Sequence, residues 1–169
     1  MVALTIVAVL VAIAAPSYRD FILDTQMSGE ANEFLTSVNF ARSEAIKRNG
    51  RVTMCKSSDG AGCADADSGG WNQGWIVYVD AGAAGVFNQG TDVILRVHGR
   101  LTTSSTLVGA TDDVATYVSF IQDGRSQLGG GAAQAGNVDL CNTQSSALGR
   151  RLTLALGRAQ VIKIDTCPV

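Results

Sequence analysis

The sequence predicts an α+β fold: one long N-terminal α-helix packed on an antiparallel β head. Three observations carry this. Met1 to Ala15 is an uncharged apolar run. An amphipathic stripe at three- and four-residue steps follows it as far as Asn49-Gly50. Beyond Gly50 the pattern alternates between Gly-rich turns, and no second long helical pattern appears. The chain divides accordingly into a hydrophobic helix segment (residues 1–16), the amphipathic half of the same helix (17–50) and a β head (51–169).

The first run reads MVALTIVAVLVAIAA, with Thr5 its one polar residue and Pro16 closing it. Spanning a hydrocarbon core takes roughly 20 apolar helical residues. This run extends only about 22 Å, roughly one and a half turns too short by itself. A signal-peptide core should follow a basic segment, and none precedes this run. A core helix is rarely apolar on every face. The reading that remains is a truncated hydrophobic helix. Val2, Leu4, Ile6, Val9, Leu10, Val11 and Ile13, closed by Pro16, are its candidate membrane or assembly residues. Ala3, Ala8, Ala12, Ala14 and Ala15 permit close helix approach.

From Ser17 to Asn49, Met27, Ala31, Phe34, Val38, Ala41 and Ala45 define one buried stripe, with Leu35 beside it. Glu30, Glu33, Arg42 and Glu44 lie off it. Lys47 and Arg48 suit the negative end of the helix dipole, and Asn49-Gly50 is a stop. Pro16 kinks such a helix without having to end it, and Gly29 weakens it by about 1 kcal/mol. A single helix over this whole length measures about 74 Å.

In the head, strands are expected at 51–56, 74–80, 92–98, 101–108, 117–122, 137–142, 150–156 and 160–164. GWIVYVD, from Gly74 to Asp80, is the clearest, with Trp75, Val77 and Val79 on one face. Short strands with turns between them imply antiparallel sheet. The loop from Ser57 to Gly70 contains DADSGG, a faint likeness to a calcium loop without its register or closing Glu; turn chemistry accounts for it.

Composition excludes several functions. A net charge of −2 makes the molecule no general electrostatic partner for nucleic acid. With 46% hydrophobic residues, 19 Gly and 2 Pro, the chain suits a packed, turn-rich domain rather than a disordered one. Cys55, Cys63, Cys141 and Cys167 allow three disulfide pairings. Cys55 and Cys63 bracket KSSDGAG and can close that loop, while Cys167 can staple the C-terminus to the strand of Cys141; these two pairs are favoured. The spacings lack the paired ligands of a zinc site. His98 stands alone, no Ser or Cys has a nucleophile motif, and Asp112-Asp113 lie in a polar turn. Trp75 and Asp80 read as a core anchor and a turn start rather than a ligand site. No enzyme, cofactor or metal is expected.

The segment MVALTIVAVLVAIAAPSY resembles the N-terminal helix of type IV pilins and type II secretion pseudopilins. In that family a Phe-Thr-Leu-Ile-Glu-Leu start and a short basic leader precede such a run. Six further residues bring it to roughly 31 Å, enough to span. The family's processing-site Phe and membrane-buried Glu match no residue of this chain. Trp71, Gly74, Trp75, Asp80, Phe120, Gly124, Gly157 and Arg158 look like the sheet motifs of the GspH/FimT group of minor pilins and pseudopilins. The resemblance implies a pilin-like fold, a helix on an antiparallel sheet or β-sandwich head. It implies a precursor trimmed by a prepilin peptidase and held in the inner membrane with a periplasmic head. The helix then passes at the assembly platform into an extracellular pilus of major and minor pilins, priming it and supporting twitching motility. A secretion pseudopilin and a DNA-binding uptake pilin are the alternatives. For DNA, the candidate contacts are Arg150, Arg151, Arg158 and Lys163, expected to gather at one edge of the last hairpin. Gly157-Arg158-Ala159-Gln160 carries the first Arg of the Gly-Arg-x-Arg motif associated with that activity, and Gln160 replaces the second. A solvated edge that deters strand pairing is the plainer account of these cations.

Overall fold

The computed structural model describes residues 2–101, 105–142 and 145–167; the side chains of 2–17 and 145–148 lie outside that description. Helix α1 runs from Val2 to Arg48, 47 residues or about 70 Å. It passes through Pro16 and Gly29 without a break in helical backbone. Its end is built as the stop signal demands. Asn49 takes the left-handed conformation (φ 51°). The Gly50 N–H donates to the Ala45 carbonyl at 3.2 Å and the Asn49 N–H to that of Ile46 at 3.3 Å, satisfying two orphan carbonyls. Lys47 and Arg48 both pair with Glu44 one turn back.

Eight strands follow among the described residues: β1 (Val52–Lys56), β2 (Trp75–Val79), β3 (Val93–His98), β4 (Ser105–Gly109), β5 (Tyr117–Phe120), β6 (Gly136–Asn142), β7 (Ser145–Ala155) and β8 (Arg158–Ile164). They form two antiparallel four-stranded sheets, ordered β3-β2-β1-β5 and β4-β6-β7-β8. The strand expected at 101–108 begins only at Ser105, residues 102–104 lying outside the described part. Strand β7 starts five residues earlier than expected, because its ladder with β6 continues through a register shift at Cys141/Asn142.

Helix α1 packs on strands of both sheets. All six stripe residues, Met27, Ala31, Phe34, Val38, Ala41 and Ala45, are buried. They join Met54, Val77, Val118 and Phe120 of the first sheet to Leu107, Val138, Leu140, Leu152 and Leu154 of the second in one core. Phe34 is the wedge. Its ring stands edge-on to both Trp71 and Trp75, 5.2 Å from each. The Trp71 indole N–H is anchored by the Val114 carbonyl at 3.0 Å. Strand β2 is buried on both faces: Trp75 and Val77 face this core, while Ile76 and Tyr78 build a smaller one with Cys55.

Truncating Phe34 strips both indoles of their common contact. Phe34→Ala is expected to cost about 3–5 kcal/mol of unfolding free energy, and Phe34→Leu less, as read by urea denaturation.

Candidate interaction surfaces

Above the head, α1 leaves apolar side chains in water. Tyr18 (67% exposed), Phe21 (65%) and Ile22 share one helix face, and Met27 is the first fully buried residue of the stripe. Val2, Leu4, Ile6, Val9, Leu10, Val11, Ile13 and Pro16 continue the same helix backbone, with side chains outside the described residues. No helix among the described residues is long and apolar enough to cross a membrane.

A polar clasp holds the helix to the second sheet just below this exposed face. The Arg150 guanidinium, almost fully buried, donates to Asp24 Oδ1 at 2.8 Å and to Ser28 Oγ at 2.9 Å. Lys163, its cross-strand partner, adds its ammonium 3.3 Å from the same carboxylate oxygen. The Arg150 hydrogen bond holds the Asp24 carboxyl below the usual carboxylate range, against partial desolvation, and Lys163 reinforces it. Arg151, the next residue along β7, contacts the other side of the ladder, donating twice to Asp139 at 2.7 and 2.8 Å. Those bonds raise the Arg151 pKa. The four cations therefore do not gather. Arg150 and Lys163 converge on the helix, Arg151 is neutralised by Asp139, and Arg158 stands exposed at the hairpin tip, with no carboxylate within ion-pair distance among the described residues. Adjacent strand positions point to opposite faces, which is why sequence proximity in a hairpin is not spatial clustering.

Two disulfides tie the head. Cys55 bonds Cys63 and Cys141 bonds Cys167, with Cα separations of 5.6 and 5.8 Å. Beside Cys55, the buried Lys56 ammonium donates to the Ala66 and Gly69 carbonyls of the segment that follows Cys63, at 3.0 and 2.8 Å. A lysine nitrogen thus occupies the carbonyl-lined centre of the segment whose DADSGG composition has the calcium-loop look. Burial pushes its pKa down, and Asp67 opposes that shift.

Trp75 and Asp80 occupy structural positions. The His98 ring stacks on the Trp75 indole at 3.9 Å and 4°. Its Nδ1 lies 2.8 Å from the Gly99 carbonyl and its Nε2 3.1 Å from Glu33 of α1. Buried Asp80 accepts from Thr53 Oγ1 at 2.7 Å and from the Gly85 N–H at 3.0 Å. At the far end of that loop, Asp92 accepts from the Ala81 and Asn88 N–H groups. Burial first, and these two carboxylates after it, raise the Tyr78 phenol well above its ordinary value. The motif glycines are spatial necessities. At Gly74 (φ 117°) a Cβ would meet the His98 carbonyl at 2.6 Å. Gly157 (φ 82°) lies directly against the Gly124 carbonyl, which also accepts from Arg42 Nε at 3.0 Å. Sequence reasoning found the cysteines, the stripe and these glycines. It missed the Asp24–Arg150 clasp and the Lys56 anchor, whose partners are respectively 126 and 10–13 residues apart and carry no local pattern.

A long helix emerging from a two-sheet head, with an uncovered apolar face beyond it, defines a pilin fold. The family model described as "Type II transport protein GspH" matches residues 30–157, and the chain belongs to that family of type IV pilin-like proteins. The fold is similar to crystal structures of the type IV minor pilin FimU from Pseudomonas aeruginosa. In one (space group P21) the TM-score is 0.63 at 16% identity, covering 88% of this chain and 99% of that one. In another (space group P65) it is 0.58 at 16% identity, covering 83% and 99%. Among curated proteins none matches the chain in sequence.

The clasp makes acid sensitivity specific. Asp24 has a depressed folded-state pKa, so its contribution is present above the usual carboxylate range and lost as pH falls through the lower folded value. Asp24→Asn should therefore be less stable than the parent at neutral pH, by about 1 kcal/mol after solvent screening. The difference should close as urea midpoints are followed down to about pH 2. Replacing both Cys141 and Cys167 by Ser opens a 26-residue separation. Chain entropy puts that loss at about 3.5 kcal/mol of unfolding free energy, readable in the same titration.

Proposed function

We propose that this chain is a minor pilin, incorporated into a type IV pilus through α1 and helping to prime its assembly, with the β head contacting neighbouring pilins. The observation that carries the reading is the uncovered face of Tyr18, Phe21 and Ile22 where α1 projects beyond the head. An apolar helix face has two low-cost environments, lipid and other such helices, and transfer between them exposes nothing new to water. The Asp24–Arg150 clasp suits this role, since it fixes the projecting helix to the head at the boundary where load would pass. The precursor is held in the inner membrane with its head in the periplasm, is trimmed by the prepilin peptidase and is handed over at the assembly platform. Its work is structural rather than enzymatic.

Deleting the gene should reduce surface pili and twitching, and the intact gene should restore them. Phe21→Glu should fail to restore them while the head keeps its unfolding midpoint, because Phe21 is 65% exposed and belongs to neither core cluster. Normal piliation in a clean deletion overturns the reading. The description of the matched family favours a second one, a pseudopilin of type II secretion. A deletion that leaves pili intact and blocks release of a secreted protein selects it.

A further inference from the structure

Helix α1 carries an ionic tie to each sheet. Arg150 of β7 holds Asp24 to the second sheet, and His98, the last residue of β3, holds Glu33 to the first. Asp24 and Glu33 are nine helical residues apart, about two and a half turns, so they leave the helix on opposite sides. The two ties differ in chemistry. A guanidinium stays charged throughout the physiological range, whereas imidazole is the side chain that gains or loses its charge between about pH 5 and 8.

The surroundings of His98 call for the charged ring. Nδ1 lies 2.8 Å from the Gly99 carbonyl oxygen, and Nε2 lies 3.1 Å from Glu33 Oε2. A carbonyl and a carboxylate only accept, so both ring nitrogens have to donate, and the imidazolium alone carries two N–H groups. A neutral ring would set one nitrogen lone pair against an oxygen. The flat stack on Trp75, at 3.9 Å and 4°, adds the negative face of an indole to the same cation. The ring borders an open groove of about 220 Å³, through which protons reach it from water. Glu30 and Glu33 of α1 and Arg100, just beyond β3, are the charged groups that line this groove with it. Arg96, two residues before His98, is turned onto the Phe40 ring of α1. Trp75, the β2 residue under the ring, is uncharged.

We propose that His98 is a proton-operated latch, which joins Glu33 of α1 to the first sheet when protonated and releases that flank of the helix when it loses its proton. Released, the helix keeps Asp24–Arg150 as its tie to the second sheet. The His98 tie is present in acid and lost as pH rises through the imidazole's titration. Asp24 runs the other way, its contribution being lost as pH falls. The buried stripe holds in both states, so what changes is how firmly one flank of α1 is tied. The latch stands independently of the filament reading.

The test uses the full chain in nonionic detergent micelles, where its single histidine gives one unambiguous signal. The parent's urea midpoint should fall between about pH 5.5 and about pH 8.5. His98→Gln and Glu33→Gln should each flatten that fall, and the double variant should behave as either single one. Asp24→Asn should keep it. With nitrogen-15 in the histidine ring, both nitrogens should carry protons at the acid end. Backbone amides of α1 around Glu33, corrected for intrinsic rates, should exchange severalfold faster at the alkaline end than in acid, and equally fast at both ends in His98→Gln. A parent midpoint that does not fall overturns the proposal. So does a fall that survives in His98→Gln or Glu33→Gln, and so does a ring with a single N–H in acid.

Discussion

One wedge organises the molecule. The two sheets share no paired strand among the described residues, so backbone hydrogen bonds do not join them. What joins them is the stripe from Met27 to Ala45, with Phe34 driven between Trp71 and Trp75. The small residues Ala31, Ala41 and Ala45 bring the helix backbone close, and the large ones fill the seam. Remove the helix and each sheet presents an apolar face to water. The head is thus not a domain to which a helix has been attached. The helix is its central layer, and whatever holds the upper half of α1 holds the head with it.

Much of this was legible from the residues. The stripe was, because an apolar period of 3.6 residues sustained over several turns fits a helix with one buried face and does not fit a strand. The strands were located because turns punctuate them, although the start of β7 slipped where pairing, not propensity, decides the boundary. The fate of the cations was not legible. Arg150, Arg151, Arg158 and Lys163 look alike in sequence, yet the pleat sends neighbours to opposite faces and each meets a different environment. Nothing near Arg150 in the chain announces Asp24. Such pairs exist only once the sheet has been laid on the helix.

The head's polar interior follows one habit: charged groups bury themselves to fasten backbone. Asp80 and Asp92 secure the loop between β2 and β3 through its N–H groups, and Asp139 secures Arg151. Asp92 and Asp139 offset their desolvation with hydrogen bonds to both carboxylate oxygens, whereas Asp80 accepts its two bonds on Oδ2 alone; these bonds give the loops fixed shapes that apolar side chains could not specify. Loops of fixed shape are what surface recognition requires, and the loop between β2 and β3 is built this way.

Lys56 carries that habit furthest. Where extracellular loops of similar composition recruit a divalent ion, this one closes on an ammonium tethered to its own strand. A tethered fastener has no dissociation constant. The Ala66 and Gly69 carbonyls are held by a group the chain itself supplies.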